Sequence, residues 1–134
     1  MEVIEIKEEL IVLIEKAQNF PNDVKAAFER LATKVGGFEN RTMYGFSYWE
    51  DGGLTYLAGC SPVSSEETSA LSAETFTVKA GSYISETIKN WEGNEHLFES
   101  TFKKLGHAGY VADALGIEWY EGKDVKCMLR IIKE

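Results

Sequence analysis

Apolar positions along the chain form short dense runs and one-faced stretches, and these follow one another in a repeated order. Glu9–Lys16 is dense in Leu, Ile and Val and short enough for a strand. Val24, Ala27, Phe28, Leu31, Ala32 and Val35 then recur at helical spacing, which gathers them on one face. Asn22 or Asp23 can cap that helix behind Pro21, and Gly36-Gly37 can stop it. Tyr44–Glu50 and Leu54–Cys60 read as strands. Asp51-Gly52-Gly53 joins them, because glycine tolerates the positive φ of a hairpin turn.

Ser61–Thr75, dominated by Ser, Thr, Glu and Ala, has no clear period and reads as a linker. The order then returns. Phe76–Ile88 is strand material broken at Ala80-Gly81. Asn94 can cap a helix carrying Leu97, Phe98, Thr101, Phe102 and Leu105, and Gly106 can end it. Leu115–Glu121 and Val125–Ile132 form a closing hairpin around Gly122-Lys123-Asp124. Each half is therefore strand, helix, strand, strand. The expected fold is α+β, with two βαββ units forming a pseudo-two-fold antiparallel-sheet domain and a ligand groove between the repeats. One domain covers residues 1–134, with repeat 1 at about 1–61, the linker at about 62–75 and repeat 2 at about 76–134.

The duplication is visible in the residues. Gly45-Phe46-Ser47-Tyr48-Trp49-Glu50 matches Gly116-Ile117-Glu118-Trp119-Tyr120-Glu121 at an offset of 71. The same offset superposes Glu15, Asn19 and Phe20 on Glu86, Asn90 and Trp91. One difference stands out: Ser47 in the first copy is Glu118 in the second.

Side chains alternate across a strand, so Tyr44, Phe46 and Tyr48 share a face, as do Ile117 and Trp119. This larger, more apolar set is expected to pack under the helices. The other face then lines the groove. There Gly45, Gly116 and Ala114 leave room, Trp49 and Tyr120 offer flat walls, and Glu118 offers charge. Aromatic faces and a carboxylate in an apolar groove attract a flat cation. Each residue also has a plain structural explanation: a glutamate on a solvated strand face, or aromatics used for packing. Trp91 sits where a strand turns toward the second helix, and Tyr83 follows Ala80-Gly81-Ser82 with its hydroxyl free to reach the groove or a backbone group.

The net charge of −8, without any Lys/Arg run, argues against a nucleic-acid partner. It serves solubility and draws cations weakly from a distance. Cys60 and Cys127 lie in apolar strand-like runs without metal spacing, as expected for buried thiols in a reducing cytoplasm. The first residues lack the basic start and apolar run of a signal peptide, and no segment is apolar enough to span a membrane. His96 and His107 have no partner at metal spacing, and neither a phosphate loop nor a nucleophile elbow occurs. No metal or cofactor is expected.

Three segments together resemble the GyrI-like family, the bacterial effector-binding domain also found in AraC- and MerR-type multidrug regulators. They are Tyr44–Glu50, Phe76–Tyr83, and Gly116–Tyr120 with the final Ile131-Ile132-Lys133. The resemblance implies a channel between the repeats that binds bulky aromatic, often cationic, compounds. It implies a channel glutamate at Glu118 and tyrosines at Tyr83 and Tyr120, with Trp49 and Trp91 as weaker matches. Lys79 stands where the family pattern has a proline. No DNA-binding domain accompanies these 134 residues, which therefore look like a stand-alone member.

Three functions follow as expectations. The first is a cytoplasmic binding module for amphipathic aromatic cations, using Glu118, Tyr120, Trp49, Tyr83, Ser47 and Trp91. The second is a hydrolase of cyclopropane-containing genotoxins, with Glu118 activating water and Tyr83 or Tyr120 donating a proton. The third is an acidic module that docks an unidentified protein partner.

Overall fold

The computed structural model describes residues 1–70 and 74–133. The chain runs β1 (Glu2–Ile6), β2 (Leu10–Lys16), α1 (Val24–Val35), β3 (Met43–Glu50), β4 (Gly53–Cys60) and α2 (Glu67–Ala70). It continues through β5 (Glu74–Val78), β6 (Gly81–Ile88), α3 (Leu97–Gly106), β7 (Val111–Ala112), β8 (Gly116–Glu121) and β9 (Asp124–Lys133). The fold is α+β: a curled antiparallel half-barrel in the order β1-β6-β9-β8-β3-β4-β2-β5, with β7 attached to β9.

The two halves interlock. β1 pairs with β6 of the second half, and β5 pairs with β2 of the first. Each repeat thus lends its leading strand to the other, and the short β1–β2 and β5–β6 links cross the open seam of the curl. The first half therefore contains one strand more than its apolar pattern suggests, and the second half carries the short β7 besides. Glu2–Ile6 is interrupted by Glu2 and Glu5 and lacks the apolar density of Leu10–Ile14. The segment expected as a linker holds α2 and the start of β5, while residues 71–73 of it lie outside the described residues.

Local chemistry accounts for the elements. α1 buries Ala27, Leu31 and Val35 and ends on Gly36 at φ 79, a left-handed conformation that glycine adopts without a Cβ clash. Asp23 is its N-cap residue, but the carboxylate accepts from the Gln18 amide and Arg30 rather than capping the helix. α3 departs further from expectation. Its N-cap is His96, Asn94 instead donates to the Asn90 carbonyl, and the helix stops without a left-handed glycine. The β3–β4 hairpin turns on Asp51 and Gly52, both at positive φ, and sets Ser47 opposite Tyr56 and Gly45 opposite Ala58.

α1 and α3 lie on the same face of the sheet. α1 packs Leu31 and Ala27 with Leu13, Ala58 and Cys60, while α3 packs Leu105 with Ile84, Val125 and Cys127. The inside of the curl holds a separate core of Tyr44, Phe46, Val12, Val78, Tyr83, Ile117 and Met128. This reverses the expected arrangement of faces. The large apolar set fills the concave interior, and the helices cover the face that carries Glu118. Curvature is the cause: a curled sheet buries its inner face against itself and needs no helix there.

Candidate functional site

The centre of the sheet is the β3–β8 pair, in which Phe46 lies opposite Ile117. Those two residues are themselves related by the offset of 71, so the pseudo-two-fold axis passes through them. On one side Gly45 faces Glu118; on the other Ser47 faces Gly116. The two pairs are copies of each other. The duplication has kept the glycine and changed the polar residue.

Glu118 projects from this floor toward the helix face and is only 8% exposed. Tyr56 donates to its Oε1 at 2.8 Å, and Tyr120 donates to the same oxygen at 2.6 Å. Among the described residues Oε2 accepts no hydrogen bond, yet no side-chain oxygen sealed from solvent lacks a partner. Oε2 is therefore the atom that reaches the open groove. Burial raises the Glu118 pKa above the ordinary carboxylate value, and the two tyrosine hydroxyls oppose that rise only in part. Burial and then the neighbouring carboxylate push both tyrosines well above the usual phenol range. The Cys127 thiol, opposite Glu118 on β9, is driven up by burial and then by the same acid.

Gly45 makes this arrangement possible. A Cβ there would land on the Tyr56 hydroxyl and within 2.5 Å of Glu118 Oε1. At Gly116 a Cβ would meet the Ser47 hydroxyl at 3.0 Å and the Phe102 ring at 3.2 Å.

The gap between α1 and α3 is a groove of about 960 Å³ above this floor. Phe20 and Val24 wall one side; Trp91, Phe98 and Phe102 wall the other. Phe20 stacks on Tyr56 with centroids 5.7 Å apart, and Trp91 meets the Tyr120 ring edge-on at 5.1 Å. Phe20 and Trp91 are repeat equivalents, so each half supplies one aromatic wall. Glu95, Glu99 and Asp113 stand at the rim against Lys103, which is itself 3.5 Å from Glu99. The groove is therefore apolar in its walls and acidic in its charge. Among the described residues, no group of three or more His, Cys, Asp or Glu is placed to hold a metal ion.

The structure brings Glu118, Tyr120, Ser47, Trp49 and Trp91 to this one groove. Trp49 is at its mouth and 73% exposed; Trp91 is half-buried. Tyr83 is not there. It lies on the opposite face of the sheet among the concave core, and its hydroxyl donates to the Lys79 carbonyl at 2.6 Å. Pairing explains this: Tyr83 faces Arg130, whereas Glu118 shares its face with Cys127 and Glu86. Sequence reasoning missed Tyr56 as a groove residue, and with it the walls Phe20, Phe98 and Phe102. For Tyr56 the signal was present in the hairpin, since a two-residue turn at Asp51-Gly52 places Tyr56 opposite Ser47.

The sequence matches no protein-family model and no curated protein. The fold does have solved counterparts. An integron cassette protein from the mobile metagenome of Vibrio cholerae, VCH_CASS2, aligns at TM-score 0.69 and 15% identity over 97% of this chain and 94% of its own. SAV2435, solved bound to tetraphenylphosphonium, aligns at TM-score 0.65 and 12% identity over 97% of this chain and 92% of its own. A Staphylococcus aureus MU50 protein, provisionally described as a bacterial transcription regulation protein, aligns at TM-score 0.61 and 12% identity over 97% and 96%. At these identities the likeness establishes the shared half-barrel fold.

Proposed function

We propose that the protein binds bulky aromatic cations in the groove between α1 and α3. The carrying observation is the Glu118 carboxylate, buried on an apolar floor with one oxygen turned to the groove and, among the described residues, only neutral hydroxyls for partners. An ionised acid held this way lacks a counter-charge. A cation about 4 Å away would gain about 4 kcal/mol at an effective dielectric of about 20. The aromatic walls add dispersion and cation–π attraction. The groove volume lies in the range of small-molecule sites. The tetraphenylphosphonium complex of SAV2435, a protein of the same fold, supports this ligand class. So does the resemblance to GyrI-like effector-binding domains.

The hydrolytic reading fares worse. Tyr83 is across the sheet from Glu118. Tyr120 has its proton committed to Glu118, and its pKa is raised, which makes it a poor acid.

The test uses pH. A cation binds the ionised form, and the Glu118 pKa is raised, so protonation begins above the ordinary carboxylate range. Tetraphenylphosphonium affinity, followed by tryptophan fluorescence, should fall between about pH 8 and about pH 4.5, approaching tenfold per unit once the acid is protonated. Neutral triphenylphosphine oxide should show no such fall. Equal pH profiles for the two ligands would remove Glu118 from the proposal.

A further inference from the structure

A second opening lies on the other face of the sheet and has the opposite charge. It is a pocket of about 340 Å³ at the mouth of the concave interior, between the β5–β6 turn, β9 and the loop entering β8. Phe76, Tyr48 and Leu115 give it apolar walls. Lys79 and Arg130 bring two cations to it and Asp113 a single acid, in a chain whose net charge is −8.

Arg130 is held, not loose. Its Nε donates to the Ala80 carbonyl at 3.0 Å, and the guanidinium lies against Gly81, where a Cβ would come within 3.0 Å of it. Gly81 sits at φ 141, so the turn both bends there and leaves the surface on which the guanidinium rests. This fixes the plane of the group and leaves its two Nη groups without a protein acceptor among the described residues. Among the same residues, neither Arg130 nor Lys79 forms an ion pair. Asp113 accepts from the Leu115 amide instead. The Tyr83 hydroxyl is occupied by the Lys79 carbonyl and does not compete.

From this geometry we infer that the concave-face pocket is a second binding site, one that takes a small ring-bearing monocarboxylate. A planar guanidinium with two free Nη groups matches the two oxygens of a carboxylate. Lys79 adds a mobile charge at the entrance, where it is exposed. The local balance of two cations and one acid is neutralised by one negative charge, which favours a monoanion over a dianion. Phe76, Tyr48 and Leu115 supply the surface for a ring. The site adjoins the cation groove and shares Tyr48, Trp49, Asp113 and Ala114 with it at the rim, but Arg130, Lys79 and Phe76 belong to this pocket alone and Glu118 to the groove alone.

Calorimetric titration of the full chain with 1-naphthoate and with neutral 1-naphthylmethanol tests this. The acid should bind at least about fivefold tighter than the alcohol at low salt. Arg130→Gln should weaken naphthoate at least about fivefold, and Lys79→Gln about two- to threefold, with the alcohol unaffected. Glu118→Gln should leave naphthoate binding as it is. Should Arg130→Gln fail to fold, Lys79→Gln carries the test, because Lys79 is exposed and its ammonium forms no ion pair among the described residues. Equal affinity for acid and alcohol, or naphthoate binding indifferent to both substitutions, would overturn the inference. Naphthoate binding strengthened by Glu118→Gln would also overturn it, since that would place the ligand in the other groove.

Discussion

Gly45 and Gly116 occupy equivalent places on the duplicated floor, yet they have different neighbours. Above Gly45 lie the Tyr56 hydroxyl and Glu118; above Gly116 lie Ser47 and the edge of Phe102. One copy of the position is a hydrogen-bonded acid site, and its twin is small and uncharged. The lesson is that a pseudo-symmetric groove gains a direction through one substitution. Ser47 and Glu118 are the same position in two copies, and only one copy carries charge. The groove therefore offers aromatic surface from both halves but a floor acid from only one.

That comparison can be broken in several ways. The largest effect should come from Gly45→Ala. Its Cβ has no room beside the Tyr56–Glu118 hydrogen bond, so overpacking should cost about 1–3 kcal/mol in chemical denaturation. Glu118→Gln should act in the opposite direction. A carboxyl whose folded pKa is raised contributes stability that is full at low pH and is lost as pH rises from its unfolded value through its folded value. Glutamine removes that loss. The melting temperature of Glu118→Gln should thus exceed that of the wild type at about pH 8, by roughly 3–5 °C for about 1 kcal/mol. The difference should close as pH falls below the carboxylate range. A difference that does not change with pH would mean that the acid is not desolvated. The smallest effect should come from Gly116→Ala, below about 1 kcal/mol, because the contacts it tightens are to side chains that can yield. Equal costs at Gly45 and Gly116 would erase the asymmetry.

Much of this could be read from the residues, and the failures have identifiable causes. The duplication, both helices and both hairpins were visible, because Asp51-Gly52, Gly36 and the helical spacing of Val24 to Val35 are local signals. Glu118, Ser47 and Trp49 were placed together correctly by strand alternation, which depends only on parity. The face covered by the helices was not legible. Tyr44 and Phe46 look like a helix-packing surface, but the curl buries them against Phe76 and Met128, and curl leaves no mark on alternation. Tyr83 was misplaced because the break at Ala80-Gly81 hides the register of β6 with β9, so its parity relative to Glu118 could not be counted. The exchange of β1 and β5 was hidden as well, since it is set by long-range pairing across the seam.

The central claim is that Glu118 gives the groove its preference for positive charge. The direct measurement is the ratio of tetraphenylphosphonium to triphenylphosphine oxide affinity at neutral pH, in the wild type and in Glu118→Gln. The account predicts a ratio that falls at least about tenfold in the variant, with the neutral ligand nearly unchanged. An unchanged ratio would contradict it.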